Sequence, residues 1–124
     1  MTLGGPCWYS NYMVEERRRA SRVQAYRPLR LRVPKSERVV ETLTKDLATD
    51  GIRCVSTMPF PVSTELDLEL VLSTGFDPVV TRGKTVWFRL IPHSEQFDIG
   101  IAFVEISEQD KIRLSAYIDG LSVK

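Results

Sequence analysis

Hydrophobic and polar residues alternate with a period of two in several segments of the chain beyond residue 25. In segment 65–72 the leucines occupy the even positions, whereas acidic residues occupy positions 65, 67 and 69. This period is typical of a β-strand with one buried face. Other segments that alternate in this way, or that are rich in β-branched residues, lie between turn sequences rich in Gly, Pro, Asp and Ser. The pattern predicts six strands, at 26–33, 38–45, 51–56, 65–72, 79–90 and 97–103, with a bend or bulge at Gly83.

The hydrophobic period changes near the end of the chain and predicts one helix. Ser107 is followed by acidic residues, which suits a helix N-terminus with a hydroxyl cap. Gly120 is the expected stop. Apolar residues then recur at i, i+3, i+4 and i+7 on a single helix face, namely Leu114, Tyr117, Ile118 and Leu121.

Six strands with short turns and a terminal helix predict a mainly β domain. The chain lacks the strand–helix–strand alternation of a parallel doubly wound sheet. A six-stranded antiparallel β-barrel, with the C-terminal helix over an open edge or mouth, is the economical arrangement. Residues 1–14 include Gly4-Gly5-Pro6 and follow neither period, so they are expected to form a flexible N-terminal lead. The barrel domain is assigned to residues 15–124.

Composition limits the protein to ordinary globular classes. The 124 residues are enough for one core, and 43% apolar and 27% charged residues are typical of a globular protein. A net charge of +1 excludes a nucleic-acid polycation. No apolar run approaches the roughly 18 residues of a membrane span, and no signal peptide is evident. We therefore expect a cytoplasmic protein without membrane insertion, with Cys7 and Cys54 as reduced thiols.

The chain contains no pattern that nominates a catalytic or metal site. His93 is the single histidine and follows a proline in a predicted turn, without a Ser or Cys partner at a recognisable spacing. No metal-ligand cluster and no phosphate-binding glycine loop are present. The sequence therefore predicts a protein that is not an enzyme, has no catalytic residues and holds no metal.

Basic residues concentrate in segment 15–22, where four arginines fall within six positions. Arg18 and Arg22 are four residues apart, and such residues share a direction both in a helix and in an extended strand. Guanidinium groups grip phosphate, pair with the guanine edge and stack on purines. Two such groups suit a guanine nucleotide, although a solvated basic run paired with Glu15 and Glu16 remains the alternative.

The sequence Asp46-x-Ala48-x-x-Gly51 is a candidate for a second half of the same site. It lies at a predicted strand end and hairpin, with the turn expected over 46–51 and Asp50-Gly51 at its tip. A carboxylate there could accept hydrogen bonds from the N–H groups of guanine. Gly51 is expected to allow a backbone conformation that is closed to most residues. An ordinary hairpin turn is the alternative.

With both halves in view, the chain resembles the PilZ domain family. That family carries an RxxxR motif before the first strand, matched by 18–22, and a (D/N)xSxxG motif at a strand–turn junction, matched by 46–51. The segments 82–87 and 100–103 are further marks of the resemblance. The resemblance spans the chain from Glu15 to the C-terminal helix.

The resemblance implies a split-barrel domain that binds the bacterial second messenger cyclic di-GMP (c-di-GMP) without any cofactor. Arg18 and Arg22 would clamp phosphates and guanines, Asp46 would contact a guanine, and Gly51 would shape the turn. Binding would reposition the N-terminal loop and change the surface offered to an effector protein, with the receptor a monomer or weak homodimer. The implied ligand-binding residues are Arg17, Arg18, Arg22, Asp46, Ala48 and Gly51.

One position departs from the family pattern, because Ala48 stands where the motif has serine. A lost hydrogen bond of this kind costs about 0.5–1.5 kcal/mol, which is roughly twofold to tenfold in affinity. The alternative is therefore a PilZ-like protein-interaction module that has lost nucleotide binding and uses the barrel surface or aromatic residues of the lead. Trp87-Phe88-Arg89 hints at single-stranded nucleic acid, but the expected place of these residues is the core, so no nucleic-acid partner is predicted.

Overall fold

The computed structural model of the protein describes residues 22–122. The predicted lead at 1–14 and the predicted ligand residues Arg17 and Arg18 lie outside this part of the chain. The order is seven strands followed by one helix: β1 (Val23–Gln24), β2 (Pro28–Arg32), β3 (Val39–Ala48), β4 (Gly51–Ser56), β5 (Glu65–Leu70), β6 (Val79–Leu90), β7 (Phe97–Glu105) and α1 (Glu108–Ser122).

Strands β2 to β7 form a closed antiparallel barrel, which confirms the predicted fold class. The sheet order is β1-β3-β2-β5-β6-β7-β4, and the additional pairing of β4 with β3 closes the ring. The two-residue strand β1 was not predicted and lies outside the six-stranded ring. It pairs with the end of β3, where Val23 stands opposite Leu47 and Gln24 opposite Asp46.

The core follows the alternation seen in the sequence. In β5 the side chains of Leu66, Leu68 and Leu70 are at most 2% exposed, whereas Glu65 and Glu69 lie on the outer surface. Other strands contribute buried residues of the same kind, including Leu31 in β2, Val79 in β6 and Ile99 in β7. Burial of these apolar side chains, at about 1.5–3 kcal/mol each, is what holds the barrel together.

The helix α1 covers one end of the barrel. It contacts β1 and also β3 and β6, which lie on opposite sides of the six-stranded ring. Leu114 and Ile118 are buried, and the Ser107 hydroxyl accepts a hydrogen bond from the Asp110 N–H at 3.1 Å, as the sequence predicts for a cap. The predicted stop at Gly120 is wrong. The helix continues because Leu121 still packs against the core. No helix within residues 22–122 is long and apolar enough to span a membrane.

The hairpin between β3 and β4 is tighter than the sequence suggests. A turn is predicted over 46–51, but β3 continues to Ala48 and only Thr49 and Asp50 form the turn. The strand persists because Asp46 and Ala48 remain paired with β4, opposite Arg53 and Gly51. Cross-strand pairing therefore overrides the local turn preference of the Asp and Gly residues.

A bulge in β3 decides which residues of this strand face outward. Val40 and Thr44 are buried at even positions, but beyond the register shift between Thr44 and Asp46 the residue that packs in the core is Leu47. One extra residue, Lys45, reverses the alternation of faces. Without it, Asp46 would point into the apolar core, and with it the carboxylate lies on the outer face. The pairing of β6 with β7 is also irregular at the predicted position, between Arg82 and Gly83, but the extra residue there, Val104, belongs to β7. The bulge within β6 itself lies at Val86, between Thr85 and Trp87.

Candidate functional site

The structure brings Arg22 next to the β3–β4 hairpin. Arg22 directly precedes β1, and the pairing of β1 with the end of β3 places it there. A depression of about 160 Å³ lies at this point of the barrel surface. One residue from each half of the predicted site, Arg22 and Gly51, therefore lines the same depression, although 29 positions separate them in the sequence. Asp46 and Ala48 do not line it. The depression is lined by Arg22, Asp50, Gly51, Ile52, Val86, Ile101 and Ala102.

Gly51 is needed for a reason other than the one expected from the sequence. Among the glycines of residues 22–122, only Gly75 has a positive φ, so the expected special backbone conformation of Gly51 is wrong. A Cβ atom on Gly51 would instead collide with the carbonyl oxygen of Ile101 and lie 3.2 Å from the Cα atom of Ala102. Gly51 stands opposite Ala102 in the β4–β7 ladder. Its lack of a side chain allows these two strands to approach closely beside the depression.

Asp46 lies on the outer face and is already engaged by an arginine. Its Oδ2 atom accepts a hydrogen bond from Arg53 Nε at 2.7 Å. The Nη1 atom of Arg53 also donates to both carboxylate oxygens of Asp98, at 3.2 and 3.1 Å. Arg89 Nη2 donates to Asp98 Oδ2 at 3.3 Å. The four side chains form one network across β3, β4, β7 and β6, which we call the Arg53 network.

The Arg53 network is shielded from solvent at its centre. The side chains of Arg53, Asp46 and Asp98 are 26%, 17% and 6% exposed, whereas that of Arg89 is 71% exposed. Burial of the Arg53 guanidinium by itself would lower its pKa. The hydrogen bond and negative charge of Asp46, with those of Asp98, outweigh burial and raise the pKa of Arg53 above its ordinary value. Arg53 is therefore a permanent cation, and it balances the most buried carboxylate of the network.

Ala48, the residue that replaces the serine of the motif, is almost fully enclosed. By register it shares the outer face with Asp46, two positions earlier. It is nevertheless only 3% exposed, and it does not belong to the apolar core cluster. A hydroxyl group added at this position would enter a confined space at the surface of the barrel, where it would need a hydrogen-bond partner.

The indole of Trp87 adjoins the Arg53 network. Trp87 stands opposite Gly100 in the β6–β7 ladder, and Arg53 stands opposite Gly100 on the other side. A Cβ atom on Gly100 would collide with the indole, so the ring of Trp87 lies over Gly100 on the outer face. The expectation that Trp87-Phe88-Arg89 belongs to the core holds for Phe88, which is half-buried and packs against the core cluster. It is wrong for Trp87, which is half-buried outside that cluster, and for Arg89, which is exposed.

Sequence reasoning missed Arg53 because the turn was expected over 46–51. The structure limits the turn to Thr49 and Asp50, and counting back from it pairs Ala48 with Gly51 and Asp46 with Arg53. The partnership with Asp98 had no comparable signal, because its strand β7 follows the hairpin only after β5 and β6. Within the part of the chain that the structure describes, no group of three or more His, Cys, Asp or Glu side chains could hold a metal ion.

The fold and this surface define a small β-barrel domain that presents guanidinium, carboxylate and indole groups on one outer face. The family model of the PilZ domain matches residues 16–120, and the chain belongs to the PilZ domain family. PilZ domains are receptor and regulatory modules rather than enzymes. No curated protein sequence matches the chain.

Solved structures show the same fold at low sequence identity. The PilZ domain of YcgR from Escherichia coli, solved with c-di-GMP, is 13% identical, with a TM-score of 0.66 over 86% of this chain and 92% of that one. The inhibitor of motility MotI/DgrA from Bacillus subtilis is 21% identical, with a TM-score of 0.74 over 86% of this chain. The present chain spans only 51% of that longer protein. The PilZ domain of CeSA from a cellulose-synthesising bacterium is 16% identical, with a TM-score of 0.57 over 82% of this chain and 97% of that one.

Proposed function

We propose that this protein binds c-di-GMP on the outer face formed by β3, β4 and β7, and that it relays binding to an effector protein. The observation that carries the proposal is the meeting of Arg22 with Gly51 at one depression. The two residues belong to the separate motifs of the family, and the outward-facing Asp46 lies on the same hairpin. The PilZ domain of YcgR, which shares the fold, was solved with this ligand.

The chemistry of the surface complements the ligand. C-di-GMP carries two phosphates and two guanine bases, and a guanidinium such as that of Arg22 binds either group. Among the described residues, Asp46 uses only Oδ2, for Arg53, so Oδ1 is open to an N–H donor of guanine. The Trp87 indole offers a face on which a base can stack. Arg17 and Arg18 would add further guanidinium groups from the segment before Arg22.

The relay follows from the position of Arg22 immediately before β1. A ligand held by Arg22 on one side and by Arg18 on the other would draw the preceding segment onto the barrel. The segment would then cover part of the surface that an effector protein meets in the absence of ligand. Ordering a segment around an anion is a common route by which a local charge contact changes a distant surface.

A second function, that of an interaction module without nucleotide binding, is favoured by two residues of the β3–β4 hairpin. Ala48 lacks the hydroxyl of the family motif, and Asp50 adds a carboxylate to the lining that contains Arg22. A negative charge opposes an anionic ligand at short range. The two functions differ in whether c-di-GMP binds at all.

Calorimetric titration with c-di-GMP tests the proposal. We expect binding in the micromolar range or tighter, and loss of most of it in Arg22→Ala and in Arg18→Ala. The matched control is Arg38→Ala, which removes the same charge from an exposed turn between β2 and β3. Folded wild-type protein that shows no heat with tens of micromolar ligand would refute c-di-GMP binding and leave the interaction module.

A further inference from the structure

We propose that Arg53 is the positioning residue that orients the Asp46 carboxylate for guanine, and that Asp98 in turn holds Arg53. This inference rests on the proposed function, because it concerns the same ligand surface. Arg53 stands opposite Asp46 in the β3–β4 ladder and opposite Gly100 in the β4–β7 ladder. Its guanidinium therefore reaches carboxylates on both neighbouring strands.

The anchor of the arrangement is Asp98. Its side chain is only 6% exposed, and both of its oxygens accept hydrogen bonds from Arg53 Nη1. A guanidinium group is planar and rigid, so fixing Nη1 also fixes the direction of the Nε–H bond. That bond points to Asp46 Oδ2 at 2.7 Å, the shortest contact of the Arg53 network. The orientation of the Asp46 carboxylate is thus set by a residue on another strand.

A fixed carboxylate discriminates between purines. The guanine edge presents two N–H donors side by side, whereas the adenine edge presents one donor and one acceptor nitrogen. An ionised carboxylate presents acceptors only, which suits guanine and opposes the adenine acceptor. With Oδ2 held by Arg53, the Asp46 carboxylate keeps this orientation. A carboxylate that is free to rotate could avoid this repulsion. Arg53 should therefore affect the selectivity for c-di-GMP over c-di-AMP, and not only the affinity.

A second arginine in the barrel serves as a matched control. Arg30 also pairs with two carboxylates, those of Glu41 at 3.0 Å and Glu69 at 3.8 Å. These three side chains are 51%, 69% and 48% exposed, and they lie on β2, β3 and β5, away from the hairpin. Arg30→Gln and Arg53→Gln remove the same charge and the same number of carboxylate partners. A general effect of net charge on an anionic ligand would appear in both variants.

The experiment measures dissociation constants for c-di-GMP and c-di-AMP in the full chain. The variants are Arg53→Gln, Arg53→Lys, Arg30→Gln, Asp46→Asn and the double variant Asp46→Asn/Arg53→Gln. We expect Arg53→Gln to weaken c-di-GMP roughly tenfold to hundredfold, the range for a hydrogen bond to a charged group. Binding of c-di-AMP should change no more than in Arg30→Gln. Arg53→Lys should be intermediate, because lysine keeps the charge but lacks the planar fork.

The Asp46→Asn background separates positioning from direct contact. If Arg53 acts through Asp46, Arg53→Gln has no further effect once Asp46 is replaced. A further loss in that background would overturn the inference, since Arg53 would then contact the ligand itself. Equal losses for both nucleotides, or a loss no larger than in Arg30→Gln, would also overturn it. If none of the variants binds c-di-AMP, the positioning role is tested by the effect of Arg53→Gln on c-di-GMP affinity in the Asp46→Asn background.

Controls distinguish this inference from the proposed function. Thermal melting establishes that each variant is folded, and Arg53→Lys carries the test if Arg53→Gln does not fold. Wild-type protein that fails to bind c-di-GMP overturns the proposed function and this inference together. Wild-type protein that binds, with Arg53 variants indistinguishable from it, overturns only the positioning role.

Discussion

Replacing Gly51 by alanine is expected to force β4 away from β7. The new Cβ atom would collide with the Ile101 carbonyl oxygen and crowd the Ala102 Cα atom, both of which belong to the backbone and cannot rotate away. Overfilling a well-packed site costs about 1–3 kcal/mol. The smaller conformational freedom of unfolded alanine recovers about 0.4–1 kcal/mol. The net loss in the free energy of unfolding should therefore be about 1–2 kcal/mol, or roughly 3–10 °C in melting temperature.

Thermal unfolding without ligand measures this loss, and Gly120→Ala provides the opposite case. No atom lies within 4 Å of a Cβ on Gly120, which is an exposed position of α1. Alanine there should raise the free energy of unfolding by up to about 1 kcal/mol, the difference in helix propensity. The reasoning is refuted if Gly51→Ala melts at the wild-type temperature. If that stable variant also loses c-di-GMP binding, Gly51 acts on the ligand and not on the contact between strands.

Three further variants test other parts of the structure. Ser107→Ala should lower the free energy of unfolding by about 0.5–2 kcal/mol through loss of the helix cap; an unchanged denaturant midpoint would contradict the capping role. Ala48→Ser should tighten c-di-GMP binding twofold to tenfold in calorimetry, and an unchanged affinity would show that the hydroxyl is irrelevant here. Burial, with the nearby Asp98 charge, raises the pKa of Cys54 from 9.0 to about 12. The unfolded thiol ionises first, so its contribution to stability is complete below pH 9 and is lost as the pH rises towards 12. Urea midpoints should therefore fall more steeply above pH 9 in wild-type protein than in Cys54→Ala, and parallel curves would contradict this shift.

The sequence by itself determined the fold class and most of the elements. Alternation at 65–72 and in the other alternating segments predicts which face of each strand is buried. This prediction depends only on residues that are close together in the sequence. The apolar face of α1 and its cap at Ser107 are local for the same reason, since they depend on residues within two turns. Four residues of the candidate site within the described chain were also named from their motifs, namely Arg22, Asp46, Ala48 and Gly51.

Local patterns failed where a neighbour in the chain was less important than a neighbour in space. The turn at 46–51 was placed too early, because the sequence does not show that β4 keeps the end of β3 paired. The stop at Gly120 was wrong, because the local preference of glycine is weaker than the packing of Leu121. Phe88 and Trp87 look equally suited to the core, and only the register with β7 places the indole over Gly100.

Only the tertiary structure decided how the site is assembled. The bulge at Lys45 turns Asp46 outward, and the closure of the barrel brings Asp98 from β7 to Arg53 on β4. Glycine is required at position 51 because the backbone of Ile101, 50 residues later in the chain, approaches it closely. Period and composition specify which face of a strand avoids water, whereas strand register and bulges specify which side chains meet. Register is set by contacts between distant segments, so the partners of a site residue emerge only when the barrel closes.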